Sequence, residues 1–447
     1  MGGNMARADG PRHGVAEGHR VRDAAFRRLV QRIDAGPLHP ALSVQLLIDG
    51  AEAMAELLAA LAAAREEILF EVYILRDDRI GEAVRRTLAG AVRRGVRVSV
   101  LADAFGSSAT RAAFWRSLTD DGITVRLFPR RWRHPISAFQ RDHRKLIVID
   151  RAVAFTGGMN IGEEYGSAVH ARVRTWRDTF IRVDGPVARE LAAVFAEGWD
   201  RAGGPPLPGL AYVSWSEGIV LPPSGASRFG PGAAAARLRV RRALRRDRRQ
   251  GRQVKRAAPS PVPDDEPSIL VLDLRPGRAQ RETALLYAML ADAARQRLWI
   301  TTPYFAPPDW GLDLLVAATR RGADVRLLVP GRSDVPLLRH AAHGAYARLL
   351  AGGVRIWEYE AAVLHAKTLV VDGHASIVGS SNLDFRSFWL NAECNLLLFD
   401  DRCASALERA FLEDLASSRE ITPAEWSRQP PGHALLDAAA RALRWAL

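Results

Sequence analysis

The feature that most constrains this chain is that it repeats itself. Ala91–Leu101 is echoed by Ala318–Val329, and each reads as a helix ending at a glycine (Gly95, Gly322) followed by a short strand. Asp121–Phe128 is echoed by Gly352–Tyr359, His143–Asp150 by His365–Asp372, and Phe155–Ile161 by Ile377–Leu383, in the same order. Ordered matches of this kind mark a duplicated unit. The two copies should share one fold, and a chemical group in one should have a counterpart in the other.

Within each copy, amphipathic helices (Ala51–Arg65, Ile80–Arg94, Leu312–Arg321) alternate with short strands (Ile68–Leu75, Arg97–Ala102, Leu298–Thr302, Val325–Val329). That alternation predicts an α/β fold, two duplicated α/β/α sandwich domains with mainly parallel sheets. The expected division is an N-terminal extension over 1–40, a first domain over 41–205, a Pro/Gly/Arg-rich linker over 206–267, a second domain over 268–425 and an amphipathic tail over 426–447. In the tail, Leu435, Leu436, Ala439, Leu443 and Leu447 form an apolar stripe opposite Asp437, Arg441 and Arg444. That stripe is expected to dock on the protein rather than lie on a bilayer.

The formal charge of +13 calls for an anionic partner, phospholipid or nucleic acid. Arg237–Arg256 holds eleven basic residues against the single acid Asp247, a net +10, which leaves +3 for everything else. A nucleic-acid binder more often spreads its charge over a folded face, so nucleic acid is the less favoured partner. Cys394 and Cys403 have no metal-type spacing and suggest no disulfide framework. Met1–Val21 has no apolar signal core, and no apolar run approaches the ~18–20 residues that cross a bilayer. The expectation is a soluble or peripheral protein.

Lysine usage points to the chemistry. Of 63 basic residues only Lys145, Lys255 and Lys367 are lysines, and two of these occupy the same slot in both repeats. A position that keeps lysine in so arginine-rich a chain needs a compact ammonium rather than a guanidinium fork, as a tight phosphate site would. Each lysine follows a histidine by two residues, so His143 and Lys145 face one way on a strand, as do His365 and Lys367. Downstream, Gly157 and Gly158, and Gly379 in the second copy, allow tight turns that present Asn160 and Asn382, whose amides can bind phosphate oxygen. His340 and His343, on an expected helix, read as partly exposed side chains rather than ligands. Tyr304 and Phe305 fit either the core or a substrate channel.

Two copies of His-x-Lys-x4-Asp, each followed by Gly-Gly/Ser-x-Asn, resemble the phospholipase D superfamily. Glu71–Asp78, Asp103–Ser107, Arg141–Lys145, Thr302–Phe305 and Ser380–Ser387 make the chain most similar to bacterial cardiolipin synthases. The likeness covers roughly Leu42–Trp199 and Leu270–Leu415. Ala104 and Arg151 depart from it, standing where the family commonly has glycine. The resemblance implies one active site shared by both domains, with His143, Lys145, Asp150, His365, Lys367 and Asp372 as the catalytic motifs, the two aspartates more in support than in chemistry. One histidine attacks the phosphodiester to give a phosphohistidine and the other protonates the leaving alcohol. His143 is the expected nucleophile and His365 the general acid and base. Asn160, Asn382 and Ser380 are the expected phosphate-binding groups, and Asp178 and Glu393 the carboxylates that orient the histidines. No metal and no cofactor is expected. The implied activity is a phosphatidyltransferase making cardiolipin, with phosphatidylglycerol as donor and acceptor, peripheral on the cytoplasmic face of the bacterial inner membrane. A phospholipase D-type hydrolase or nuclease is the alternative. A non-catalytic binding module is disfavoured by the intact pair of His, Lys and Asn sets.

Overall fold

Each repeat builds one sheet. The computed structural model describes residues 20–34, 36–48, 50–129, 140–166, 176–210, 262–263, 265–276, 279–428 and 431–443; the basic segment Arg237–Arg256 and Leu447 lie outside the described residues. The first sheet runs β2 (Ser43–Leu47), β8 (Phe180–Asp184), β7 (Val153–Gly157), β6 (Leu146–Ile149), β3 (Glu67–Val72), β4 (Arg97–Asp103) and β5 (Thr124–Phe128). The second runs β1 (His39–Pro40), β9 (Ser268–Leu274), β15 (Glu393–Phe399), β14 (Ala375–Gly379), β13 (Thr368–Val371), β10 (Arg297–Thr301), β11 (Asp324–Pro330), β12 (Arg355–Tyr359) and β16 (Ser418–Ile421). Apart from the added β1 and β16, the orders correspond strand for strand.

The α/β layering is as expected, but the sheets are mixed rather than mainly parallel. Among the described strands, only β3–β4–β5 and β10–β11–β12 pair in parallel. These strands are joined by helices, Arg79–Arg93 and Ala112–Asp120 in the first half and Asp309–Arg320 and Pro336–Ala351 in the second, which supply the crossover a parallel pair needs. By contrast β6 and β7 form a hairpin, as do β13 and β14, and hairpins are antiparallel. The histidines and lysines, expected on these strands, lie just before them, since β6 starts at Leu146 and β13 at Thr368; the strands themselves read as short apolar runs without revealing their direction.

The hairpin turns explain both motif aspartates. Asp150 and Asp372 take positive φ, 51° in each. The Asp150 carboxylate accepts from the N–H groups of Arg65, Glu66 and Glu67 at 2.9, 2.8 and 2.9 Å. Asp372 does the same with Arg295, Gln296 and Arg297 at 3.0, 2.8 and 2.8 Å. Placed among the catalytic residues by motif, they instead lie at the far end of β6 and β13 and pin those strands to the start of β3 and β10. Arg151 also sits at positive φ, 50°, where the second half has Gly373. Its guanidinium is held by Glu67 and by the Pro208 carbonyl at 2.6 Å, contacts that offset the cost of the left-handed backbone.

The halves meet through one continuous core. Leu146, Val148, Ile181 and Val183 of the first sheet and Phe195 of helix Pro186–Arg201 bury against Ile269, Val271, Val378 and Leu396 of the second. Residues 20–40 join the second half: Phe26 and Val30 of helix Ala24–Asp34 pack with Leu270 and Leu272, and β1 pairs with β9. The tail helix Pro431–Ala442 inverts its expected docking. Asp437 and Ala440 are buried and Arg441 reaches Asp309 at 2.9 Å, while Leu435, Leu436 and Leu443 stay exposed.

A fully buried arginine pairs across the interface. Arg144, only 1% exposed, reaches Asp273 of β9 at 2.6 Å and lies 3.6 Å from Glu71. Helix Pro186–Arg201 passes over this pair at Gly198, where a Cβ would come within 2.8 Å of Glu71. The second motif has Ala366 at the equivalent position, so the first half alone carries this cation. Arg144→Met would take the guanidinium from buried Glu71 and leave Asp273 to Arg275. We expect a loss of about 3–5 kcal/mol of unfolding free energy in urea melts.

Candidate active site

The two histidines are brought together by backbone bridges between the halves. His143 N–H donates to the Ala392 carbonyl at 2.9 Å, and Ala392 N–H returns to Arg141 at 2.8 Å. In mirror fashion His365 N–H donates to Arg177 at 2.7 Å, and Arg177 N–H to Val363 at 2.8 Å. The residue after each bridging position carries a carboxylate, and the register aims it at the histidine of the other repeat. His143 Nδ1 lies 2.9 Å from Glu393 Oε2, and His365 Nδ1 lies 2.7 Å from Asp178 Oδ2. Both carboxylates proposed from sequence are therefore at histidines, but crossed between halves. With Nδ1–H given to a carboxylate, each imidazole presents its Nε2 lone pair elsewhere.

Beside them sit the two lysines. Lys145 Nζ donates to the His143 carbonyl at 2.7 Å; Lys367 Nζ is held by the His365 carbonyl and lies 2.9 Å from His365 Nδ1. Burial is the largest influence on all four groups. It pushes Lys145 down to about 7 and Lys367 to about 8. It lowers His143 to about 4, against the opposing pull of Glu393 and with help from Lys145 and Lys367. His365 is lowered by burial and then by Lys367. Each imidazole feels the ammonium of the other motif, which makes this one site. Two neutral imidazoles flanked by two lysines poised to be cationic suit an anion that enters and restores the lost charge.

The remaining expected residues divide. Ser380 donates to Glu393 Oε2 at 2.6 Å and Ser387 to Glu393 Oε1 at 2.9 Å, so Ser380 braces the carboxylate rather than facing phosphate. Asn160 accepts from Ile74 N–H at 3.1 Å and donates to Tyr165 OH at 2.9 Å; its amide already ties the loop after β3. Asn382 keeps a buried Oδ1 with no hydrogen-bond partner among the described residues, an amide end available to a ligand. Phe305 is fully buried in the second half's core, whereas Tyr304 stands edge-on to His365 with ring centroids 6.4 Å apart. Tyr73, at the equivalent strand end in the first half, is 4.8 Å from His143. Sequence reasoning missed it: the duplicated register sets Glu71 against Thr301, so Tyr304 falls opposite Ile74 and Tyr73 has no matching aromatic. Trp176 and Tyr165 add further rings at 5.2 and 5.7 Å from His365. Asp103 accepts from the N–H of Asp142 at 2.8 Å, anchoring the segment that carries His143.

Comparison with known proteins agrees with this geometry. The family described as "Cardiolipin synthase, PLD-like domain" matches residues 57–199 and 287–415, one block in each half. The chain belongs to this family. Cardiolipin synthase A of Pseudomonas putida (strain W619) is 33% identical over 389 residues, 86% of this chain and 71% of that protein. Cardiolipin synthase of Geobacillus kaustophilus (strain HTA426) is 31% identical over 406 residues, 90% of this chain and 72% of that one. In fold, the chain is similar to phosphatidylserine synthase of Haemophilus influenzae Rd KW20, with a TM-score of 0.68 at 16% identity over 95% of this chain and 100% of that one. Membership makes the chain a phospholipase D-type phosphatidyltransferase.

Within this family site the two halves differ at one close contact. At Gly158, the counterpart of Ser380, a Cβ would lie 2.0 Å from Asp178 Oδ1. Gly158→Ala should therefore push Asp178 off His365. The expected result is a fall in kcat on the order of 100-fold, with an unchanged far-UV spectrum. Ser380→Ala, which removes a brace without adding bulk, should cost less.

Proposed function

We propose that the chain joins two molecules of phosphatidylglycerol into cardiolipin and releases glycerol, by two displacements at the shared site. His143 Nε2 attacks phosphorus, the bond to the glycerol headgroup breaks, and His365 gives that oxygen its proton. The phosphatidyl group then rests on His143. The glycerol hydroxyl of a second phosphatidylglycerol loses its proton to His365 and attacks phosphorus. The phosphorus–nitrogen bond breaks and cardiolipin leaves. The observation that carries this reading is the crossed pairing of each imidazole with a buried carboxylate of the other half. It leaves two Nε2 poles on one dry site, with Lys145 and Lys367 beside them to hold the phosphoryl oxygens.

The lowered histidines fit this order of events. Before substrate binds, both imidazoles are neutral, as a nucleophile requires. A phosphodiester anion between the lysines favours the protonated form of its neighbours and so supplies His365 with the acid's proton. The lysines set the alkaline limit. Their ammonium charge is present below about 7 and 8 and is lost as pH rises through those values. With phosphatidylglycerol liposomes, mass spectrometry should find cardiolipin and glycerol, and kcat/KM should decline above about pH 7–8. Acid quenching should leave phosphate on the peptide carrying His143, and His143→Ala or His365→Ala should abolish turnover. Phosphatidic acid as the only lipid product would replace transfer with hydrolysis, and label on His365 alone would reverse the two roles.

On the same reading the enzyme works peripherally on an anionic bilayer. Among the described residues no helix is long and apolar enough to cross a membrane. The supporting observation is the tail helix, which packs by its polar face and leaves Leu435 75%, Leu436 46% and Leu443 50% exposed. Phe105, in the loop after β4, is 58% exposed. Such an exposed apolar face suits insertion at a lipid interface. Replacing Leu435, Leu436 and Leu443 together by serine should reduce co-sedimentation with phosphatidylglycerol vesicles and spare turnover of detergent-dispersed substrate. Unchanged co-sedimentation would remove the tail helix from the membrane contact.

A further inference from the structure

Away from the catalytic histidines, the structure gathers a second polar cluster. His340 and His343 lie three residues apart on helix Pro336–Ala351 and so share one face. The tail helix Pro431–Ala442 crosses that face and lowers Asp437 between them. His340 Nδ1 is 2.7 Å and His343 Nδ1 is 3.8 Å from the same oxygen, Asp437 Oδ1. One ligand atom from each of the three residues lies within 4.8 Å of the other two. Read as partly exposed helix side chains in the sequence, the histidines prove to be partners of a buried carboxylate.

The hydrogen bonds around the cluster leave one carboxylate oxygen and one imidazole nitrogen unmatched at its centre. His343 Nε2 is 2.8 Å from Glu358 Oε1, and Glu358 is itself compensated by Arg419 at 2.9 Å and Arg339 at 3.4 Å. Glu358 takes the Nε2–H, which leaves Nδ1 turned towards the Asp437 carboxylate at 3.8 Å, too long for a hydrogen bond. Asp437 Oδ2 is buried as well and has no hydrogen-bond partner among the described residues. A cation among these atoms satisfies all of them. Tyr346 and Trp426 pack on His343, with ring centroids 5.0 and 5.3 Å away, and shield it from solvent.

We propose that His340, His343 and Asp437 form a zinc site that fastens the tail helix to the second half of the protein. Two imidazoles and one carboxylate are a zinc donor set, and three protein ligands leave a fourth position for water. Tetrahedral bonds of about 2.0–2.2 Å put ligand atoms roughly 3.4 Å apart, so His343 closes on Asp437 and His340 eases away from it, each by less than about 1 Å. Glu358 holds His343 from behind, as a carboxylate commonly does for a metal-bound histidine. The role is structural and independent of the phosphatidyl transfer chemistry.

The test uses the full chain, stripped with chelator, dialysed and given zinc chloride alone. Calorimetry should show one zinc bound per chain and a rise of several degrees in the unfolding midpoint. Hydrogen exchange on the same unmutated chain should slow by about tenfold or more in residues 336–351 and 431–442. Asp437→Asn should abolish the stoichiometric zinc and the protection together; His340→Ala should weaken both. Three results overturn the proposal: no stoichiometric binding by the native chain, protection that appears elsewhere, or binding unaltered in Asp437→Asn.

Discussion

The rest of the molecule depends on an exchange of carboxylates. Each catalytic-motif histidine takes its hydrogen-bonding acid from the opposite repeat, Glu393 for His143 and Asp178 for His365. A buried imidazole without such a partner would have neither a fixed tautomer nor a fixed orientation. The short backbone bridges at Ala392 and Arg177 set the register of the exchange, and the continuous core beneath them sets its distance. Packing between halves is here a condition of the chemistry. A shift of one residue in either bridge would point the carboxylate to the other side.

Burial then does the electrostatic work. A site this dry disfavours every charge in it, so the lysines and histidines are all held below their ordinary values. The cost of that arrangement is recovered when an anion arrives, because the protonated forms then gain a partner. Glu393 is also held below its ordinary value, with the opposite effect on its charge: His143, Lys145 and Ser380 outweigh the burial that would raise it and keep it ionised. Charge in the free enzyme is concentrated on the groups that position, and is supplied to the groups that react only with substrate present.

Much of this was legible in the sequence, for physical reasons. A duplicated motif with two retained lysines pointed to a phosphate site because arginine is the wrong shape for one, and the structure gathers both lysines and both histidines in one place. Asp178 and Glu393 were found because a buried imidazole needs an acid, but their crossing was hidden: a pairing between halves leaves no trace in local spacing. Strand direction was hidden for a similar reason, since an apolar run such as Leu146–Ile149 looks the same in either orientation. Ser380 and Asn160 were read as phosphate groups from their position beside the motif; their actual partners, Glu393 and Tyr165, lie across turns whose geometry the sequence does not specify. The tail helix shows the limit most clearly. Its leucines suggested the buried face, yet a single carboxylate, Asp437, meeting two histidines decided which side turned inward.

The crossing of carboxylates also bears on how such a chain can change over time. Were the two halves separate copies of one polypeptide, every substitution would fall on both sites at once, and the two imidazoles would stay equivalent. Joined in one chain, the halves are inherited as different sequences while remaining mutually dependent. Gly158 faces a short aspartate and Ser380 braces a longer glutamate, a difference that no symmetric pair can hold. Covalent linkage thus lets the surroundings of the two imidazoles diverge without either half being free to drift away from its partner.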